Sequence, residues 1–172
     1  MPSVHTSKAS ALPVLVVMGV SGSGKTTIGR LLSEQLGWVF YEADDYHSPA
    51  SVEKMRGGVA LDDEDRRPWL ATLRDLLRDC LRRDESAVLA CSALKERYRE
   101  CLLIDERVVL VFLKGDYQLI ESRLARRRGH YMNPSLLGSQ FETLEEPGDA
   151  VQVEVTSSPE EIVEEIRGRL GL

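Results

Sequence analysis

Residues 19 to 26 read Gly-Val-Ser-Gly-Ser-Gly-Lys-Thr, the spacing G-x-x-x-x-G-K-[ST] that serves the binding of a polyphosphate. Gly19, Gly22 and Gly24 let the backbone fold tightly and aim successive N–H groups at phosphate oxygens. A helix beginning near Lys25 adds the positive end of its dipole. Lys25 is expected to reach the β and γ phosphates, and the Thr26 hydroxyl to hold Mg2+. The apolar run Val14, Leu15, Val16, Val17, Met18 precedes the loop, as a buried strand should.

Further along, Glu42-Ala43-Asp44-Asp45-Tyr46-His47 gathers carboxylates and an imidazole in one short stretch. An alcohol that attacks a phosphoryl group benefits from a carboxylate that orients it and accepts its proton, and Asp44 is the candidate. A turn cap is the structural alternative for Asp44 or Asp45. Asp62, Asp63, Glu64 and Asp65 run into Arg66 and Arg67, which reads as a helix start with carboxylates at the positive dipole end. Arg66 is the member of that run able to turn inward to an anion. Lys95 and Arg99 are spaced i, i+4, so on a helix they share a face, and a pair of cations there suits a carboxylate-bearing substrate.

Arg123, Arg126, Arg127 and Arg128 lead into Gly129 and His130. Cations stabilise a helix C-terminus by themselves, and they also describe a lid that closes over phosphates and excludes water. The third strand ends Leu89-Ala90-Cys91-Ser92, with no Asp of the Walker B kind. Metal ligation is therefore expected from Thr26, with Glu42 or Asp44 helping directly or through water.

The elements that must position these groups follow from periodicity. Ile28, Leu31, Leu32 and Leu36 predict a helix after the loop, stopped by Gly37, with a short strand at Trp38 to Tyr41. Trp69, Leu70, Leu73, Leu76, Leu77, Cys80 and Leu81 trace a longer helix, opened by Pro68 and closed by the charged run Arg82 to Glu85. Strands follow at Ala87 to Ala90 and Arg107 to Leu113, then a helix capped by Asp116 and carrying Ile120 and Leu124. Val151, Val153 and Val155 alternate as a fifth strand, and Ser158, Pro159 and Glu161 open a last helix with a capping box. Continuous apolar strands separated by helices predict a five-stranded, mainly parallel sheet with helices on both faces, the three-layer α/β sandwich of P-loop NTPases. Ligands in such folds sit at the carboxyl ends of the strands, which picks out the loop after the first strand, Glu42 to His47 after the second, Cys91 to Arg99 after the third, and the segment after the fourth.

At 172 residues the chain is one domain, read as 14–172 after a flexible tail at 1–13. A net charge of -6 argues against a nucleic-acid or anionic-membrane partner, since phosphate-backbone binding depends on excess Lys and Arg. Cys80, Cys91 and Cys101 form no C-x-x-C pair, and no signal peptide or long apolar span is visible, so a reducing cytoplasm is expected.

In order along the chain, MGVSGSGKTT, DDYH followed by EKM, LDDEDRRPWL, CSALKERYR, and RRRGHYM with SQFETLEEP resemble the small P-loop gluconate kinases. The resemblance runs from about Val14 to Pro147, and CSALK, GHYM and SQFETLE are far more specific than the phosphate loop. It implies a shikimate-kinase-like fold with a mobile lid within about 123–135, a homodimer, and ATP and Mg2+ as cofactors. The implied activity is phosphorylation of D-gluconate on its 6-hydroxyl, giving 6-phospho-D-gluconate and ADP and feeding gluconate into central carbon metabolism. By position it implies nucleotide contacts from Gly19, Val20, Ser21, Gly22, Ser23, Gly24, Lys25, Thr26 and Thr27, joined by Arg123 and Arg127 from the lid. Substrate contacts are implied for Asp44, His47, Arg66, Lys95, Arg99 and His130, with Lys25, Asp44 and Arg127 as the catalytic groups.

Two positions depart from the family pattern: Ser48 stands between His47 and Pro49 with Ser51 near the usual Asn, and Glu42 replaces a frequent Asp. Rival readings are a kinase of the same fold acting on shikimate or a nucleoside monophosphate, and a nucleotide-binding sensor. A sensor has no use for a second polar pocket opposite its phosphate loop.

Overall fold

The computed structural model describes residues 13–127 and 134–172. The expected tail, apart from Pro13, lies outside the described residues, as does the part of the expected lid that carries His130. Five strands form one parallel sheet: β1 (Val14–Met18), β2 (Val39–Glu42), β3 (Ala87–Ala90), β4 (Val108–Lys114) and β5 (Val151–Glu154), in the order β2-β3-β1-β4-β5. The central strand β1 is fully buried, and its side chains alternate between two cores. Val14, Val16 and Met18 pack with α3 (Asp63–Arg82) and α4 (Glu96–Leu102). Leu15 and Val17 pack with α1 (Lys25–Leu36), α5 (Tyr117–Arg126) and α7 (Pro159–Leu170). Burial on both faces is the reason β1 reads as an unbroken apolar run, and it gives the expected three layers. The chain leaves β1 toward β2, returns through β3, and then crosses to β4, so the strand order reverses beside β1 at the edge where the phosphate loop emerges.

Two of the boundaries differ from the periodicity for a clear local reason. The second strand begins at Val39 because the Trp38 N–H closes the end of α1 on the Ser33 carbonyl at 2.9 Å, behind Gly37 at φ 68°. Helix α3 begins at Asp63, five residues before Pro68, because Asp62 and Asp65 form a reciprocal capping box worth about 1 kcal/mol. Pro68 thus lies inside the helix, where it removes one backbone bond, and the acidic run supplies the first turn. Helices α2 (Pro49–Arg56) and α6 (Pro134–Thr143) have no counterpart in the apolar pattern. The start of α2 carries the same Ser-Pro signal as α7: Ser48 accepts the Ser51 N–H at 3.2 Å, with Pro49 in the first turn. The Ser48 and Ser51 departures from the family pattern are thus spent on a cap. Among the described residues no helix is long and apolar enough to cross a membrane.

Candidate active site

The phosphate loop has the backbone its glycines allow, with Gly22 at φ 82° and Gly24 at φ 100°. A Cβ on Gly22 would stand 2.9 Å from Leu124, so the loop also needs glycine there to sit against α5. Helix α1 starts at Lys25 with no acidic residue in its first turn, leaving its positive end for an anion. Lys25 donates to the Val20 carbonyl at 3.1 Å. Burial pulls the Lys25 pKa below the usual lysine value, while the Asp44 and Glu42 carboxylates hold against that pull. Cys91, buried in the core just after β3, is pushed by burial up to about 12 and stays a thiol.

The Thr26 hydroxyl donates to Glu42 at 2.5 Å, and burial raises the Glu42 pKa, with the Thr26 bond opposing the rise. Among the described residues no cluster of three or more His, Cys, Asp or Glu side chains could hold a metal by itself. Mg2+ binds through one or two protein oxygens plus phosphate and retained waters, and the Thr26 and Glu42 oxygens at the helix N-terminus suit that donor set.

Asp44 lies on a single 3-10 turn, Ala43–Tyr46, fastened from below. The Trp69 indole N–H donates to the Ala43 carbonyl at 2.7 Å, and the Trp69 ring stacks on His47 at 4.3 Å. His47 Nε2 stands 3.6 Å from the Asp44 carboxylate, and the His47 N–H bonds the Asp44 carbonyl at 3.3 Å. With the turn held this way the Asp44 side chain is 76% exposed and faces a cleft of about 460 Å³. His47 is nearly enclosed and supports Asp44 from behind.

Arg66 and Lys95 line the same cleft, as does Ser21 of the phosphate loop. Both cations converge on Tyr98: Arg66 donates to its hydroxyl at 3.3 Å, and Lys95 lies 5.6 Å from the ring centre. Asp63 ties the group together, accepting from Lys95 at 3.2 Å and from the Tyr98 hydroxyl, and pairing with Arg97. Arg99 does not join them. Lys95 is the extended N-cap of α4 and not a helical residue, so the i, i+4 rule that put both on one face does not apply. The Arg99 side chain turns back, 5% exposed, to donate to the Ala93 and Leu94 carbonyls at 3.0 Å each. It braces the loop that carries Lys95 and does not line the cleft.

On the other side of the phosphate loop a second cavity of about 360 Å³ lies between Gly22, Gly24, Thr27, Arg123, Arg127 and Pro159. Arg123 donates to the Val155 carbonyl at its rim. Arg127 caps α5 and lies close enough to Lys25 to depress its pKa further. His130 lies outside the described residues.

Tyr98, Asp63, Trp69 and Gln140 all shape the site and were not candidates from the sequence. Beyond their places in the motifs LDDEDRRPWL and CSALKERYR, Trp69 carried only a packing signal, Asp63 only that of a helix start, and Tyr98 none. The Gln140 side-chain oxygen accepts the Ser21 N–H at 2.7 Å across 119 residues, a contact no local pattern announces.

A family model for shikimate kinase matches residues 21–170. A probable gluconokinase of Mus musculus is 45% identical over 170 residues, covering 87% of this chain and 92% of that one. A gluconokinase of Gluconobacter oxydans is 47% identical over 156 residues, covering 88% of each chain. The solved structure of a gluconokinase from Sinorhizobium meliloti superposes with a TM-score of 0.84 at 40% identity, covering 92% of this chain and 91% of that one.

Proposed function

The chain belongs to the gluconokinase family of shikimate-kinase-like P-loop kinases, and we infer from that membership that it transfers the γ-phosphoryl group of ATP to the 6-hydroxyl of D-gluconate, releasing ADP. The geometry that supports this most is one cleft bounded by Ser21 of the phosphate loop, the exposed Asp44 carboxylate, and the cations Arg66 and Lys95. A linear hydroxy acid has the matching polarity, with an alcohol at one end and a carboxylate at the other.

The residues divide the work as follows. The N–H groups of the loop from Gly19 to Thr27 and the Lys25 ammonium hold the phosphates and neutralise charge on the transferring group. Asp44 orients the 6-hydroxyl and takes its proton as the new O–P bond forms and the bond to ADP breaks. Arg66 and Lys95 hold the carboxylate, His47 steadies Asp44, and Arg99 acts at one remove through its loop. Thr26, with Glu42 beside it, would hold Mg2+, which when bound neutralises phosphate oxygens. Arg123 and Arg127, at the head of the segment 123–135 expected to close as a lid, would approach the nucleotide phosphates, with His130 on the acceptor side. A homodimer in the cytoplasm, with no nucleic acid or membrane partner, completes the proposal.

A coupled assay of ADP release over sugar acids, shikimate and glucose tests the reading. Gluconate should give the highest kcat/KM, and glucose should be poor because it has no carboxylate for Arg66 and Lys95. Equal use of glucose would remove that role for the cationic end.

The part given to Arg127 has its own test. Its planar fork suits phosphate oxygens better than an ammonium does, and a contact made mainly in the transition state lowers kcat and kcat/KM by similar factors. Arg127→Ala should therefore leave the KM for gluconate nearly unchanged while kcat falls, with Arg127→Lys restoring only part. Wild-type kcat in the Ala variant would reduce Arg127 to a solvated helix-end charge and move the role to Arg123.

A further inference from the structure

Beside the acceptor cleft, and sharing Asp63 with it, a groove of about 360 Å³ lies between α3 and α4. Asp63, Arg67, Leu70 and Arg74 line it from α3 at the spacing i, i+4, i+7, i+11, one face of that helix, and Arg97, Tyr98 and Cys101 line it from α4. Leu70 and Tyr98 are buried and give the groove an apolar floor. Three guanidinium groups stand around that floor, and two of them are engaged. Arg67 donates to Glu64 at 2.6 Å, and Arg97 pairs with Asp63. Arg74 is different: its Nε is buried without a hydrogen-bond partner, and its guanidinium makes no ion pair among the described residues. The adjacent acid, Asp75, pairs with Arg78 at 2.9 Å. A buried donor with no acceptor is costly, and an anion entering the groove would satisfy this one.

We propose that the groove between α3 and α4 binds a small phosphate ester, and that its occupancy weakens the hold of the acceptor cleft on its substrate. The Arg74 fork takes the phosphate oxygens, and the apolar floor takes the body of the ester. Arg67 and Arg97 already share a carboxylate each, so a ligand must compete for them, and a phosphate dianion does so better than a monocarboxylate. Asp63 carries the effect inward, because it also accepts from Lys95 at 3.2 Å and from the Tyr98 hydroxyl. An anion that draws Arg97 to itself leaves Asp63 with one cation fewer. Asp63 then holds Lys95 more tightly, in competition with the acceptor carboxylate. This last step rests on Lys95 holding that carboxylate, as proposed above, whereas binding in the groove does not. The transferring end of the site is untouched, so the KM for gluconate should rise while kcat stays the same.

Cys101 supplies the readout. Cys80 and Cys91 are buried, whereas Cys101 is half-buried in the groove, so alkylation by iodoacetamide reports on the groove. Phenyl phosphate, a dianion on a flat apolar ring, is the probe, with phenol as its neutral comparison and saturating Mg-ADP filling the phosphate loop. At a few times its Kd, phenyl phosphate should slow alkylation of Cys101 about fivefold, and phenol should not. In steady-state assays with saturating ATP, it should raise the KM for gluconate about threefold to a plateau and leave kcat unchanged. Arg74→Gln, which alters neither the acceptor cleft nor the phosphate loop, should abolish both effects and keep the basal rates. Unchanged alkylation, equal protection by phenol, or protection that persists in Arg74→Gln would overturn the anion site, and the phenol comparison stands if the variant folds poorly. A Cys101 that resists iodoacetamide until the protein is unfolded would also overturn it, since a second copy of the chain would then cover the groove. Protection without a change in KM would overturn the link through Asp63. The labelling result holds whichever acid is the acceptor, so a wrong substrate assignment would show in the kinetic arm alone.

Discussion

Lys25→Ala should lower kcat by about 10²-fold or more and leave a folded protein, because the ammonium acts on charge that develops during transfer and supports no core. Its ammonium donates to the Val20 carbonyl at 3.1 Å, and losing a bond of that kind costs about 1 kcal/mol. An opposing effect is built into the site. Burial lowers the Lys25 pKa in the folded protein below its value in the unfolded chain, so the charged lysine disfavours folding at neutral pH. That cost is present below the folded pKa and disappears as pH rises toward the unfolded value. Removing the charge from the nucleotide-free protein should therefore leave Tm within a few degrees of wild type, whereas the stabilisation that ATP adds should shrink. Steady-state rates with saturating ATP and gluconate, paired with thermal melts with and without nucleotide, check both halves. A near-normal kcat would remove the phosphate-loop mechanism, and a collapse of Tm would make Lys25 structural.

The sheet was legible because each strand is short, apolar and followed by polar residues. Val14 to Met18 and Ala87 to Ala90 coincide with their expected limits, and the parallel order follows from alternation with helices. The same contrast located the phosphate loop and the turn at Asp44, since both begin where an apolar run ends. What escaped was whatever depends on direction or on distant partners. Lys95 and Arg99 have helical spacing, yet the helix begins after Lys95, and this one-residue matter sends Arg99 into the loop backbone. Trp69 reads as a core residue and is one, but its indole N–H also fixes the Ala43 carbonyl, and a hydrogen bond across 26 residues has no periodicity to betray it. Helix α6 pairs short polar residues with Leu136 and Leu137, so its apolar stripe is too narrow to be seen, although the cleft-facing side carries four residues at helical spacing.

Asp44→Asn is expected to lower kcat by about 10²-fold or more, the range of a lost general base that also orients its nucleophile. The replacement keeps the shape of the side chain, and the turn beneath it does not depend on the carboxylate: the Trp69 bond to Ala43 and the ring stack on His47 involve neither carboxylate oxygen. Asn can still accept a hydrogen bond from the 6-hydroxyl, so gluconate should bind with a KM near that of wild type. What it cannot do is hold the proton that leaves as the O–P bond forms. The KM for ATP should change little, because the phosphates are gripped by the loop and Lys25. The Coulomb support that Asp44 gives to the Lys25 charge is lost, which would shift the ammonium pKa further down, so the assay belongs at a pH where the wild-type rate is flat. Single-turnover measurement at saturating gluconate separates the two roles. A slow chemical step with gluconate still bound supports the base, whereas weak binding followed by transfer at the wild-type rate would make Asp44 a binding residue and leave the proton to solvent or to a phosphate oxygen.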